Sequence, residues 1–340
     1  MRPAFAAAAL LLAAQPLAAA ADPVGDFYRD HPMTLILGFN PGGGFDAYAR
    51  VVVRHLPRHI PGEPGIVIKN MPGAGSLIAA NHLFNNSPRD GSEIGFLSAD
   101  MATMPLFGKI PARFDGRKFT WLGSVSSDAA YCVSWKGTPF TRIEDAFQNE
   151  MVVGAAGIEM SLTPTILRQV LGIKFKLIRG YAGTAEVRLA AEKGEIQGWC
   201  NVGVLGAVGS HAEWLTDGTL RFLLQVGYAP RNEVPNVPFY LDYAKTDQDR
   251  QVLKVIFSYP YMARPFAAPP GIPADRAAAL RRAFADTIQD PKFLADAKQA
   301  KLDVGLVTAE QIDHFLAEMY ATPKPIVERA AHLLDLGEKK

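Results

Sequence analysis

The sequence predicts an α/β protein of two lobes, each a mainly parallel sheet flanked by helices, with a cleft between the lobes. Three observations carry this expectation. The 340 residues exceed what one compact core organises, so two lobes of roughly 100 to 200 residues each are expected. Short apolar runs alternate with stretches of helical spacing, the pattern of strands paired in parallel through right-handed crossovers. Each apolar run stops at a turn of glycine or small polar residues, and in a parallel sheet such turns leave from one edge.

A leader comes first. Arg2 gives a basic start, residues 4–12 are apolar, and residues 18–21 are all alanine, the small residues a cleavage site needs. Residues 1–21 therefore read as a signal peptide cut near Ala20 or Ala21. Interrupted by Gln15 and Pro16, the segment falls short of the roughly 20 apolar residues of a spanning helix. The mature chain is expected in an extracytoplasmic compartment. Its first lobe is expected over 22–120 plus 227–340, and its second over 121–226.

In the first lobe the apolar run 34–39 ends in Asn40, Pro41 and the glycines 42–44, a strand entering a turn. From Asp46 the spacing of Tyr48, Val51, Val52 and Leu56 is helical until Pro57 and Pro61 stop it. The unit repeats, with strand-like 66–68, a turn over 70–76 and helix-like 77–84. A third run, 94–97, ends in Ser98, Ala99 and Asp100. In the second lobe the runs 130–135, 151–153, 175–178, 196–199 and 220–226 read as strands, with turns at 154–157, 180–184 and after Cys200. The remainder is helical, and Thr308 with Gln311 has the spacing of a capping box.

Composition narrows the function. With 35 basic and 34 acidic residues the net charge is +1, and no Lys/Arg run builds the stripe that nucleic acid requires. Hydrophobic residues at 49% are too many for a disordered chain. Cys132 and Cys200 are the only cysteines. An even count in an oxidising compartment permits a disulfide, and two buried thiols are the alternative.

A glycine turn opening a helix suits an anion, because free backbone N–H groups and the helix dipole both point at it. Gly42, Gly43 and Gly44 place no Cβ in the way. The Gly-Lys-Ser/Thr of a nucleotide P-loop is absent, since Phe45 and Asp46 follow, and the third glycine of a dinucleotide fingerprint is replaced by Ala47. Asp46 would repel an anion, and reads as a brace that accepts from the turn. Phe45 is either a lid over a pocket or a hydrophobic staple. Ser161 and Thr163 precede Pro164, so one of them is expected to cap a helix whose first turn holds the proline. Tyr181 and Thr184 flank Gly183 and offer hydroxyl donors. No G-x-S-x-G, H-E-x-x-H or C-x-x-C is present. His55 and His59, beside Arg54 and Arg58, read as a solvated face rather than a metal site.

In order along the chain, residues 41–46 with Arg50, 70–75, 88–91, 180–183, 194–198 and 269–273 resemble the receptor family of tripartite tricarboxylate transporters, over nearly the whole mature length. The resemblance implies a periplasmic location and the type II periplasmic binding protein fold, with two crossovers and the ligand cleft between lobes. It implies a small organic acid as ligand, a di- or tricarboxylate or an aromatic carboxylate, with no cofactor. The partner is then a membrane permease of two subunits, and the receptor a monomer. By position its contacts are Gly43, Gly44, Phe45, Asp46, Ala74, Gly75, Ser98, Ser161, Tyr181, Thr184 and Asn201. The family often has a small hydroxyl residue where this chain has Phe45, and a Gly-x-Gly-Ser turn where it has residues 156–161. Such a cleft suits a ligand with an aromatic or longer carbon body. A sensory binding protein serving a receptor kinase, and an exported enzyme acting on a small acid, are the competing expectations.

Overall fold

The computed structural model describes residues 22–108 and 110–338; the leader expected over 1–21 lies outside them. After α1 (Pro23–Asp30), capped by the Asp22 carboxylate accepting from Gly25 N at 3.0 Å, come β1 (Met33–Leu37), α2 (Gly44–His55), β2 (Ile66–Asn70), α3 (Leu77–Asn85), β3 (Glu93–Phe96) and β4 (Thr120–Ser124). The chain then builds β5 (Ala130–Trp135), α4 (Asp145–Gln148), β6 (Met151–Ala156), α5 (Gly157–Leu171), β7 (Phe175–Tyr181), α6 (Thr184–Glu192), β8 (Gly198–Val202), α7 (Val204–Val208) and β9 (Leu220–Val226). It closes with α8 (Asp247–Ile256), β10 (Pro265–Ala268), α9 (Ala274–Gln289), α10 (Pro291–Gln299), β11 (Val307–Thr308), α11 (Ala309–Tyr320) and α12 (Lys324–Glu338). The capping box at Thr308 and Gln311 is formed.

Two sheets organise these elements, in the orders β11-β4-β10-β3-β1-β2 and β7-β6-β8-β5-β9. Both are mixed. The strands β2-β1-β3 and β7-β6-β8 are parallel, whereas β10, β11, β5 and β9 pair antiparallel. The antiparallel strands are those by which the chain leaves or re-enters a sheet, where no helical crossover sets direction. Apolar runs such as β1 and β5 are buried on both faces, as expected of strands sandwiched between helices. One core lies between the first sheet and α1, α2, α9 and α10, and another beside α6 and α7 on the second sheet. A third runs without interruption from α3 and α11 through α12 and α8 to α5.

The lobe boundaries differ from the expected ones. The 120/121 division falls inside β4, which pairs with β10 and β11 in the first sheet, so the chain leaves only after Ser124. It does not return at 227 either, because α8 packs on α5 and the first sheet is regained at β10. The outgoing segment 125–128 and the returning segment 260–264 lie side by side. They are joined by Val125 N to Arg264 O at 3.0 Å, Ala263 N to Ser126 O at 3.1 Å and Asp128 N to Pro260 O at 2.8 Å. These paired crossovers connect the two lobes. α12, though it follows a helix of the first lobe, packs against α5 and α8.

Cys132 and Cys200 are bonded across the neighbouring antiparallel strands β5 and β8. Beside them Gly198 faces the Val133 carbonyl so closely that a Cβ would overlap it, with the Met151 methyl only 2.6 Å away. Gly198→Ala is therefore expected to cost about 2 kcal/mol, as overpacking against backbone does, read as a lowered midpoint in urea unfolding.

His55 and His59 do not form the solvated face expected of them. Asp296 receives Arg54 and His55, both at 2.8 Å, and Asp290 receives Arg58 at 2.6 Å and His59 at 2.9 Å. The i, i+4 spacing sets two Arg-His pairs against two carboxylates of the α10 region, docking α2 on that helix.

Candidate functional site

Parallel register brings the first-lobe turns together. Leu37 stands opposite Asn70 on one side and Phe96 on the other, so the chain leaves β1, β2 and β3 at the same edge. In the second sheet Ala156 stands opposite Tyr181, and α5, α6 and α7 all begin where β6, β7 and β8 end. Each lobe thus offers an edge of helix starts, where N–H groups lack intrahelical partners.

Residues 40–46 are built as a braced turn. Gly42 adopts φ +84°, a left-handed conformation that favours glycine, and Gly43 is the N-cap of α2 without a side-chain cap. The Asp46 carboxylate, 3% exposed, supplies what is missing. It accepts from Gly42 N at 2.9 Å and from Arg50 Nε at 2.7 Å and Nη2 at 3.2 Å. Arg50's hydrogen bonds, with that from Gly42, hold the carboxyl below its ordinary value against the opposing effect of burial. The neighbouring turn is tied on by Asn70, whose amide donates to Phe39 O at 2.8 Å. Ala74, Gly75 and Ser76 follow with φ of +46°, +60° and +80°. For the two that carry a Cβ this costs about 1 to 2 kcal/mol each.

A cavity of about 940 Å³ lies between the lobes, within the usual size of small-molecule sites. Of the residues expected at the site, Phe45, Ser98 and Asn201 form part of its wall. Asn201 holds φ +61°, a conformation asparagine tolerates better than most residues. Gly43, Gly44 and Asp46 adjoin Phe45 without lining the cavity, and Ala74 and Gly75 are exposed apart from it.

Ser161 also lies off the wall, for a local reason. α5 begins at Gly157, so Pro164 is inside the helix and neither Ser161 nor Thr163 caps it. The Ser161 hydroxyl donates to Gly157 O at 2.7 Å and Thr165 to Ser161 O at 2.7 Å, each one turn back. Thr163 and Leu162 take the place on the wall. Tyr181, half-buried at the end of β7, has its hydroxyl pKa raised by burial. Thr184 is the first residue of α6, and its hydroxyl turns to the Met160 sulfur at 3.9 Å. Neither reaches the wall.

Phe45 lines the cavity and packs on its own lobe. Its ring stacks on Phe39 at 3.7 Å and leans on Phe96 at 5.0 Å, while its edge of the cavity is covered by the Arg264 guanidinium, 4.6 Å from the ring centre. Arg264 also lies 5.1 Å over Tyr48, whose hydroxyl donates to Asp303 O at 2.9 Å. Such cation–π contacts contribute about 0.5 to 2 kcal/mol and fix the guanidinium beside the paired crossovers. Arg264 Nη1 donates to Ala263 O at 2.8 Å, and its Nε is buried without a partner.

Among the wall residues that reading the sequence missed are the charged Asp100, Asp128, Arg231, Glu233, Arg264, Asp303 and Asp335. Asp128 follows β4 with Ser126 and Ser127, just as Asp100 follows β3 with Ser98, so the strand-then-small-polar signal was present. Burial raises the carboxyl pKa of Asp100, Asp128 and Asp303, and Arg264 opposes this at the latter two.

No protein-family model matches the chain. A relative from Cupriavidus necator, the UPF0065 protein in gbd 5'region, is 23% identical over 335 residues, covering 96% of this chain and 94% of that protein. The crystal structure of a TctC solute-binding protein from Polaromonas superposes with a TM-score of 0.69 at 19% identity, over 91% of this chain and 99% of that one. Rpa4515 of R. palustris, solved with adipate, superposes at 0.57 and 16% identity, over 89% and 98%. No helix among the described residues is long and apolar enough to cross a membrane. The chain has the two-lobed fold of TctC-type solute-binding proteins, the receptor family of tripartite tricarboxylate transporters that its motifs resemble.

Proposed function

We propose that this chain is a periplasmic solute-binding protein that captures a small organic acid between its lobes and presents it to a tripartite tricarboxylate-type permease of two subunits, without chemistry of its own. The observation that carries this reading is the cavity of about 940 Å³ bounded by both lobes across a hydrogen-bonded pair of crossovers. The Arg264 guanidinium stands beside those crossovers, and helix starts rim both sides. Adipate in the R. palustris neighbour supports an acid as ligand.

Thermal shift of the mature chain against a panel of di- and tricarboxylates, aromatic acids and amino-bearing acids tests the proposal. A ligand at about 100 times its Kd adds roughly 2.7 kcal/mol, a clear rise in melting temperature. Silence across the panel would remove the receptor reading, and chemical conversion of a bound acid would favour an enzyme. Uptake that survives deletion of the protein would favour the sensory alternative. Arg264→Ala is expected to weaken the best acid about tenfold or more by calorimetry, the loss typical of a hydrogen bond to a charged group.

A further inference from the structure

Two arginines of the cavity wall, Arg231 and Arg264, are anchored on opposite lobes. Arg264 lies over the rings of Phe45 and Tyr48, residues of α2 in the first lobe. Arg231 belongs to the segment that leaves β9, and a buried amide of the second sheet holds it. Gln225, 1% exposed, accepts from Arg231 N at 2.9 Å through Oε1. Its Nε2 donates to Arg231 O at 3.0 Å and to the Tyr131 hydroxyl at 2.9 Å. Tyr131 is itself buried and stands opposite Gln225 on β5.

One side-chain amide thus grips both backbone polar groups of Arg231, as a neighbouring strand would. Loop closure does not require this, because Gln225 N already ties the far end of the segment to Pro238 O at 2.9 Å. An apolar side chain at 225 would fill the same space without needing partners. What the amide adds is a fixed position for residue 231. The Arg231 guanidinium meets Glu233 at 2.5 Å, with both side chains partly exposed. A guanidinium carries five donors in a planar fork suited to carboxylates, so Glu233 is an acceptor that an entering carboxylate can replace. Burial raises the carboxyl pKa of Asp128 and Asp303, and Arg264 and Arg231 both oppose it, which sets the two cations about the same pair of groups.

Resting on the receptor function proposed above, we infer that Arg231 is the second-lobe contact of the captured acid and the residue that selects for a second anionic group, with Gln225 as its buried positioning residue. One carboxylate meets Arg264 on the first lobe and the other meets Arg231 on the second, so the ligand itself ties the lobes together.

Calorimetry with matched pairs tests this, using adipate against hexanoate and terephthalate against benzoate; where another polyacid of the panel binds best, it and its singly charged analogue replace them. The diacid is expected to bind about tenfold or more tightly, the effect typical of a hydrogen bond to a charged group. Arg231→Met is expected to remove that advantage while leaving the monoacid's affinity within about twofold, since only the diacid reaches residue 231. Gln225→Met, checked for its fold by circular dichroism, should shrink the advantage, and in an Arg231→Met background it should change the preference no further, as for two residues acting through one contact. Glu233→Gln should strengthen the diacid by removing its rival for the guanidinium. Should Gln225→Met not fold, Arg231→Met and Glu233→Gln, at partly exposed positions, carry the test. Equal losses for diacid and monoacid in Arg231→Met would overturn the inference, and so would an unchanged diacid preference. Monoacids binding as tightly as diacids to the unaltered protein would also overturn it and leave the receptor standing. If neither pair binds and the wider acid panel is silent, the receptor reading itself falls.

Discussion

Removing the Cys132–Cys200 bridge by a double substitution to alanine is expected to lower the unfolding free energy by roughly 4 kcal/mol. The bond closes a loop with a sequence separation of 68, and the chain-entropy model assigns a loop of that length about this much. Both side chains are within 1% of full burial, so alanine adds a small packing loss, whereas serine would bury two hydroxyls needing partners. The measurement is urea unfolding of the oxidised protein, the double variant and the reduced protein, where the last two should fall together. A loss under about 1 kcal/mol would show that the bridge constrains little. Ligand binding should weaken too, because Asn201 on the cavity wall follows Cys200 directly.

Asp46→Ala is expected to cost about 2 to 3 kcal/mol in urea unfolding, the combined loss of a helix-start acceptor and charged hydrogen bonds. The pH dependence gives a second reading. The folded carboxyl is held below its ordinary value, chiefly by Arg50. Its stabilisation is therefore complete above the unfolded value of about 3.9 and is lost as pH falls through the lower, folded one. Thermal unfolding of Asp46→Asn against the unaltered protein should show a constant gap from pH 7 to about 5, closing in stronger acid. A gap that persists unchanged in strong acid would mean that Asp46 acts by shape rather than charge.

The parts legible in the sequence are those whose causes are local. The turn at 41–46, its brace and the Thr308 capping box each lie within a few residues, and short-range chemistry determines them. The lobe boundary was misjudged because β4 finds its partners in β10 and β11, far along the chain. Pro164 misled for a related reason. A proline after two hydroxyl residues looks like a helix start, yet here the hydroxyls of Ser161 and Thr165 donate to carbonyls inside a longer helix. The cavity charges were least legible of all. Asp100, Asp128, Arg264 and Asp303 come from four separate segments, and only the folded chain brings them together.

The separation into two sheets makes the protein its own reporter. The helix α1 is built into the first lobe, with the Tyr28 hydroxyl donating to Gly91 O at 3.2 Å, while Glu150 stands just before β6 in the second sheet. Fluorescent labels at exposed Asp26 on α1 and exposed Glu150 beside β6 would therefore ride on different lobes. Because the two native cysteines are bonded to each other, thiol-directed dyes would attach only where new cysteines are introduced. Energy transfer between them would follow the gap between lobes as an acid is titrated in, in a single tube.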